Sequence, residues 1–380
     1  MSNESNENVF SAVHPSVQPL FTPFSIGKLT LPNRIVMAPM TRSFSPNGIP
    51  GPDVAQYYRR RAENGVGLII TEGTVINHLS SAEDPNVPQF YGPALKGWSS
   101  VVEQVHAAGG LIFAQLWHVG MTRKVGSPPN PESLPIGPSG IDLSGNLVTA
   151  PMTETDIHSV IEAFAQAAAD AKLLGFDGIE IHGAHGYLID QFFWKQTNQR
   201  SDRYGGDSFG RRTRFAVEII RSVRNAVGPD FPIGLRISQW KTSNYTAKLA
   251  QTPEQLASLL EPLTAAGVDV YHCSTRRFWE PEFEGSDLNL AGWVRALTGR
   301  PTITVGSVGL DEEFMSSFAP GQVTQFSDLD GLIERLVRNE FDLVAVGRSL
   351  LVDPGWAMKI RNGRFDELKP FTVEALRTLY

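Results

Sequence analysis

Gly178-Ile-Glu-Ile-His182-Gly-Ala-His185-Gly-Tyr187-Leu-Ile-Asp-Gln191 begins as a strand and continues into a polar loop. Side chains alternate along a strand, so Ile179 and Ile181 share one face while Glu180 and His182 share the other. A carboxylate and an imidazole are costly on a dry face, so this strand carries partnered polar groups into an enclosed interior. Upstream, residues 154–174 place Val160, Ala163, Phe164 and Ala167 at helical spacing. Thr153 with Asp156 three residues later gives that helix a capping-box start, and Gly175 ends it. Downstream, a helical stretch at 209–226 precedes a strand at 232–237. The alternation continues both ways, with strands expected at 34–39, 67–74, 111–117, 268–273, 302–305 and 343–346. Further helices are expected at 94–107, 253–265 (opened by Thr252-Pro253) and 328–338. Eight such alternations predict an α/β chain folded as a (β/α)8 TIM barrel. A doubly wound open sheet is the rival, but no Gly-x-Gly-x-x-Gly opens a helix after any strand.

Two segments stand outside the repeat. Residues 25–33, with Gly27-Lys28 between short apolar runs, read as a β-hairpin covering the barrel bottom. Residues 118–151, rich in Pro, Gly and Ser, form an excursion after strand 3. It leaves the C-terminal end of a strand, where barrel enzymes keep their sites, so a lid is expected. Residues 1–15 read as a mobile tail, because Met1 to Asn8 is polar and acidic. That leaves residues 16–380 as one domain, in keeping with 41% hydrophobic and 19% charged residues. The net charge of −7 gives no general attraction for nucleic acid. The single cysteine, Cys273, excludes internal disulfides and clusters held by several thiolates. No apolar run reaches the roughly 18 residues of a membrane span. A cytoplasmic monomer or homodimer is the expectation.

His182, His185 and Tyr187 place three polar groups within six residues at a strand's C-terminal end. Packing residues with satisfied hydrogen bonds, or a metal-dependent hydrolase using both imidazoles, remain open readings at this point. Gln115 shares a strand face with Trp117, and Arg236 alternates against Leu235 and Ile237 to point inward. Gly306-Ser307 and Gly347-Arg348 follow strands seven and eight, where barrels usually bind phosphate. Their glycines permit close approach of backbone N–H groups, and the arginine adds a forked charged donor.

The stretch Ile181-His-Gly-Ala-His-Gly-Tyr-Leu-Ile-Asp-Gln-Phe192, followed by Asn198-Gln-Arg-Ser-Asp-Arg-Tyr-Gly-Gly206, resembles the signature of the Old Yellow Enzyme family. Ala38-Pro-Met-Thr41, Thr71-Glu-Gly-Thr74, Ala114-Gln-Leu-Trp-His118, Val305-Gly-Ser-Val308 and Val346-Gly-Arg348 extend the resemblance in family order. It implies a TIM barrel with non-covalent FMN, reduced by NADPH or NADH, acting on small activated alkenes. His182 and His185 would hold the substrate carbonyl oxygen, and Tyr187 would protonate the α-carbon. Pro39, Met40, Thr41, Gly73, Gln115, His182, Arg236, Gly306, Ser307, Gly347 and Arg348 would contact the cofactor. Trp117 and Phe278 would shape the substrate pocket, and Arg276 and Arg277 are candidates to meet a 2′-phosphate. His272 and Cys273, ending the sixth strand, read as structural. A flavin-binding diaphorase without alkene turnover is the alternative within the same resemblance.

Overall fold

The computed structural model describes residues 13–312 and 323–380. A short antiparallel hairpin pairs β1 (Phe24–Ile26) with β2 (Leu29–Leu31) around Gly27, whose φ of 58° suits a residue without Cβ. Eight parallel strands follow: β3 (Ile35–Met37), β4 (Leu68–Val75), β5 (Ile112–Trp117), β6 (Gly178–His182), β7 (Ile233–Ser238), β8 (Val270–Ser274), β9 (Thr302–Val305) and β10 (Leu343–Val346). They pair in sequence order, and β10 closes on β3 with Val344 opposite Ile35. The expected TIM barrel is therefore the fold.

The interior changes character along the barrel axis. At the N-terminal end, Val36, Leu68, Ile70, Phe113, Ile303 and Leu343 form an apolar plug, sealed from below by Ile26 and Leu31 of the hairpin. Gly178 makes room there, since a Cβ would lie 2.5 Å from the Phe113 ring. Further up, the inward positions become polar: Gln115, Glu180, Arg236 and His272, each at most 8% exposed. Outside the barrel, amphipathic helices bury their apolar stripe against the outward strand residues. Glu154–Leu173 does so with Ile157, Val160, Ile161 and Phe164, and its Thr153–Asp156 capping box is present.

Several boundaries differ from the sequence reading. The helix expected at 209–226 is divided at Thr213 into Phe209–Arg212 and Arg214–Val227, where the Thr213 hydroxyl donates to Phe209 O at 2.8 Å. Helices Pro52–Glu63 and Leu290–Thr298 add to those read from periodicity. The sixth barrel strand extends to Ser274. Most of the expected tail, residues 1–12, lies outside the described residues. Its remaining end is tied down: the His14 N–H donates to Arg361 O at 2.8 Å and the His14 ring packs edge-on to Phe365.

None of the residues of the excursion at 118–151 lines the cavity described below. It is instead bound to the outside of the loop after β6. Arg123 is buried and donates to the carbonyls of Ala82, Ser127, Pro128, Asn130 and Ser133. The Gln199 N–H donates to Ser139 Oγ, and Arg200 donates to Pro138 O. Leu143 lies against Gly186, where a Cβ would come within 2.9 Å of its Cδ1. The polar and turn-forming composition that suggested a lid serves to satisfy Arg123 and these backbone contacts.

Candidate active site

A cavity of about 450 Å³ opens at the C-terminal end of the barrel. Strands β5, β6, β7 and β8 bring polar or aromatic side chains to it, β4 brings Gly73, and β9 and β10 deliver glycine loops. Its wall includes Pro39, Met40, Thr41, Gly73, Gln115, Trp117, His182, His185, Tyr187, Arg236, Gly306, Ser307, Gly347 and Arg348. The sequence reading thus brought fourteen distant or clustered positions to one surface. Phe278 is the exception and a correction: it does not line the cavity. Its ring is buried in the main apolar cluster, its N–H donates to Gly306 O, and its carbonyl accepts from Asn289 Nδ2. Of its neighbours, Arg276 reaches the cavity wall and stacks over Tyr245 at 4.8 Å, whereas Arg277 pairs with Glu280.

The loop after β6 owes its shape to its surroundings. His185 adopts φ 65° and Gly186 φ 86°, a left-handed turn that costs energy for His and is held by hydrogen bonds. The His185 N–H donates to Ser238 Oγ at 2.9 Å, and its carbonyl accepts from the Thr242 N–H and hydroxyl. Below the turn, Lys241 and Asp190 form an ion pair at 2.8 Å, both side chains 0% exposed. Asp190 Oδ2 accepts from the Gly186 N–H at 2.6 Å, and Lys241 also donates to Gln239 O. With partners on both charges, the buried pair is tolerated and the turn is locked to β7.

The three polar groups face one another across the cavity. Ring centroids lie 5.1 Å apart for His182 and His185 and 4.9 Å apart for His182 and Tyr187. His182 Nδ1 accepts from the Ala184 N–H at 3.3 Å, so the ring hydrogen sits on Nε2. His185 Nε2 lies 2.8 Å from Ser274 Oγ, and its ring stacks on Trp240 at 4.3 Å. Burial, reinforced by the Arg236 guanidinium, holds both imidazoles well below the ordinary histidine range, so they are neutral donors. Burial, with Glu83 adding to it, pushes the Tyr187 phenol up to about 12. It therefore carries its proton at neutral pH.

The floor and far end of the cavity meet what a flavin phosphate requires. Arg236 Nε is buried without a hydrogen-bond partner, and Gln115 leaves its carbonyl oxygen to the cavity because Nε2 donates to Glu180. Gly73 is required by the wall itself, since a Cβ would lie 2.6 Å from Trp117 Cε3. Gly306, at φ 141°, would drive a Cβ to 2.6 Å from Thr275 O. Arg348 reaches Ser307 Oγ at 3.3 Å and Glu312 O at 2.8 Å, joining the two loops. Thr41 is placed by its chain: the Arg42 and Ser43 N–H groups donate to Glu72 Oε2. These donors and the unpartnered guanidinium fit FMN. Among the described residues, no group of three or more His, Cys, Asp or Glu is arranged to hold a metal ion.

Sequence reasoning missed part of the wall: Trp240, Thr242, Tyr245 and Ser274, with Phe371 and Leu376 from the C-terminal segment. The first four follow barrel strands and were findable by extending each strand end by a few residues. Nothing local marks Phe371 and Leu376. Phe371 is held by reciprocal backbone hydrogen bonds with Thr324, and Leu376 by buried Arg42, which donates to the carbonyls of Ala375, Leu376 and Thr378.

A closed parallel barrel whose mouth unites a buried arginine, an amide, two phosphate-type loops and neutral histidines defines a flavin-dependent oxidoreductase. The family model for the NADH:flavin oxidoreductase / NADH oxidase family matches residues 19–367. The chain belongs to that family, which is the Old Yellow Enzyme family, with FMN as its non-covalent cofactor. It is 36% identical to an NADH oxidase of Thermoanaerobacter brockii over 92% of its own length but only 52% of that protein, so it spans about half of it. It is 33% identical to a flavin oxidoreductase of Emericella nidulans, covering 91% of both chains. Among solved structures, morphinone reductase in complex with tetrahydroNAD superposes with a TM-score of 0.78 at 28% identity, covering 94% of this chain and 93% of that one. No helix among the described residues is long and apolar enough to cross a membrane.

Proposed function

We propose that the protein reduces activated alkenes, such as enones and nitroalkenes, at the expense of NADPH or NADH. The observation that carries this reading is the convergence of His182, His185 and Tyr187 on one cavity that Gln115 and Arg236 also line. FMN held by Gln115, Arg236 and the two glycine loops would supply the hydride chemistry that links the nicotinamide to the β-carbon of the alkene. His182 Nε2–H donates to the substrate carbonyl oxygen. With the Ser274 hydroxyl donating to His185 Nε2, the His185 ring hydrogen sits on Nδ1 and is a second donor. Negative charge grows on that oxygen as the β-carbon gains hydride, so both donors bind the transition state more strongly than the ground state. Tyr187 transfers its proton to the α-carbon, and burial keeps that proton in place until the carbanion character develops. Trp117, edge-on to Tyr187 at 4.9 Å, excludes water from the proton's path.

The test is anaerobic. Protein loaded with FMN is reduced with one equivalent of NADPH, cyclohexenone is added, and the flavin spectrum and the ketone product are followed. Return of the oxidised spectrum with one cyclohexanone per flavin is the expected result. A flavin that stays reduced, with no saturated product from enones or nitroalkenes, would leave a diaphorase.

A further inference from the structure

Beneath the cavity, the barrel holds two titratable side chains that alkene reduction does not use. Glu180 is 1% exposed and His272 0%. Glu180 Oε1 accepts from Gln115 Nε2 at 2.7 Å, and Oε2 accepts from His272 Nδ1 at 2.7 Å. The second contact crosses an intervening strand. Strand pairing sets Glu180 of β6 opposite Gly234 of β7, and Gly234 opposite Val270 of β8. Because β7 contributes no side chain at that level, the carboxylate passes over it to the imidazole two residues further along β8. One register step above Gly234 on the same face stands Arg236, flanked by His182 and His272. The row is therefore amide, carboxylate, imidazole and guanidinium, with the carboxylate holding the first and third.

Burial alone would push the Glu180 carboxyl up, but His272 and Arg236 hold it below the usual carboxylate range. Burial keeps His272 below its ordinary value despite Glu180, leaving a neutral ring. The carboxylate and the Arg236 guanidinium thus offset each other in a medium where charges act strongly.

We propose that Glu180 and His272 are positioning residues that set the reduction potential of the cofactor, by opposing the Arg236 charge and by committing the Gln115 amide to present its oxygen. Hydride transfer from NAD(P)H carries two electrons and one proton, leaves NAD(P)+, and adds one negative charge to the cofactor. Arg236 favours that added charge and Glu180 disfavours it. The pair holds the potential down, which favours passing hydride on to the acceptor. The inference rests on FMN binding and not on the choice of alkene.

The test is the midpoint potential of the FMN-loaded protein, measured by equilibration with a reference dye and without any alkene. Glu180→Gln removes the charge and should move the potential positive, with reduced FMN gaining on the order of tenfold in binding relative to oxidised FMN, about 30 mV for a two-electron couple. Glu180→Asp keeps the charge and should stay near the parent. His272→Leu removes the donor that keeps the carboxylate ionised, and should move the potential in the same direction as Glu180→Gln. This variant decides the matter if Glu180→Gln fails to fold with FMN. Unchanged potentials in the two charge-removing variants, or equal shifts in Glu180→Asp and Glu180→Gln, would overturn the inference. Potentials that move as stated while cyclohexenone is not reduced would leave it standing and sink the alkene reading alone.

Discussion

The Tyr187 and His182 rings stand edge to face, with centroids 4.9 Å apart and planes at 84°. Under the proposed alkene reduction this arrangement would separate two tasks, the imidazole addressing an oxygen and the phenol an adjacent carbon. Replacing Tyr187 by Phe keeps the ring and deletes the proton. Flavin reduction by NADPH should change less than about twofold, while reoxidation by an enone should slow by about 10²–10⁴-fold. Stopped-flow measurement of the two half-reactions separates them, and equal loss in both would remove Tyr187 from the role of acid.

The pH dependence follows from the same group. With the phenol pushed up to about 12, it is protonated throughout the range below. The histidines, held well below their ordinary value, stay neutral above it. Enone-driven reoxidation should therefore be flat from about pH 7 to pH 10. A decline setting in near pH 8 would point to a different acid.

Ser274 Oγ lies 2.8 Å from His185 Nε2, and as the donor in that contact it would leave the ring hydrogen on Nδ1. Ser274→Ala removes a hydrogen bond contributing about 1 kcal/mol, so phenol binding should weaken by roughly fivefold and KM for enones should rise. His185→Ala should cost more, on the order of 10²-fold in kcat/KM. The readout is the long-wavelength flavin–phenolate absorption band. If that band titrates identically in both variants and the parent, the oxyanion assignment fails.

Lys241 and Asp190 hold the turn that presents His185 and Tyr187, with no solvent contact. Lys241→Met leaves a buried carboxylate without its cation and should destabilise the protein by about 3–5 kcal/mol. The double variant Asp190→Leu with Lys241→Met should unfold at a higher urea concentration than Lys241→Met alone. Yet it should bind phenols poorly, because the Gly186 N–H loses its acceptor.

Arg348 bridges the two glycine loops through Ser307 Oγ and Glu312 O. Arg348→Ala should raise the Kd for FMN by roughly 10- to 100-fold, from the loss of about 1.5–3 kcal/mol of charged hydrogen bonding. Riboflavin, lacking phosphate, should bind parent and variant alike in an ultrafiltration assay.

The barrel was legible because its two periodicities alternate along most of the chain, and three strands, 178–182, 302–305 and 343–346, begin and end where the sequence places them. Residues such as Gln115 and Arg236 were legible for a related reason, since alternation along a strand fixes which side chains face inward. Phe278 was misread because an aromatic residue near a strand end serves a core as well as a pocket, and only the turn through Gly306 decides between them. Phe371 and Leu376 were invisible because distant contacts bring them to the cavity, Phe371 through its backbone pairing with Thr324 and Leu376 through its carbonyl contact to Arg42, 334 residues away in the chain. Such contacts leave no local pattern.

Arg123 gathers five carbonyls around one guanidinium, which makes the excursion after β5 a module with its own anchor. Through Leu143 it still leans on Gly186, at the back of the turn that carries His185 and Tyr187. Substitutions in this outer loop can therefore press on the active-site turn from behind, through residues that do not line the cavity.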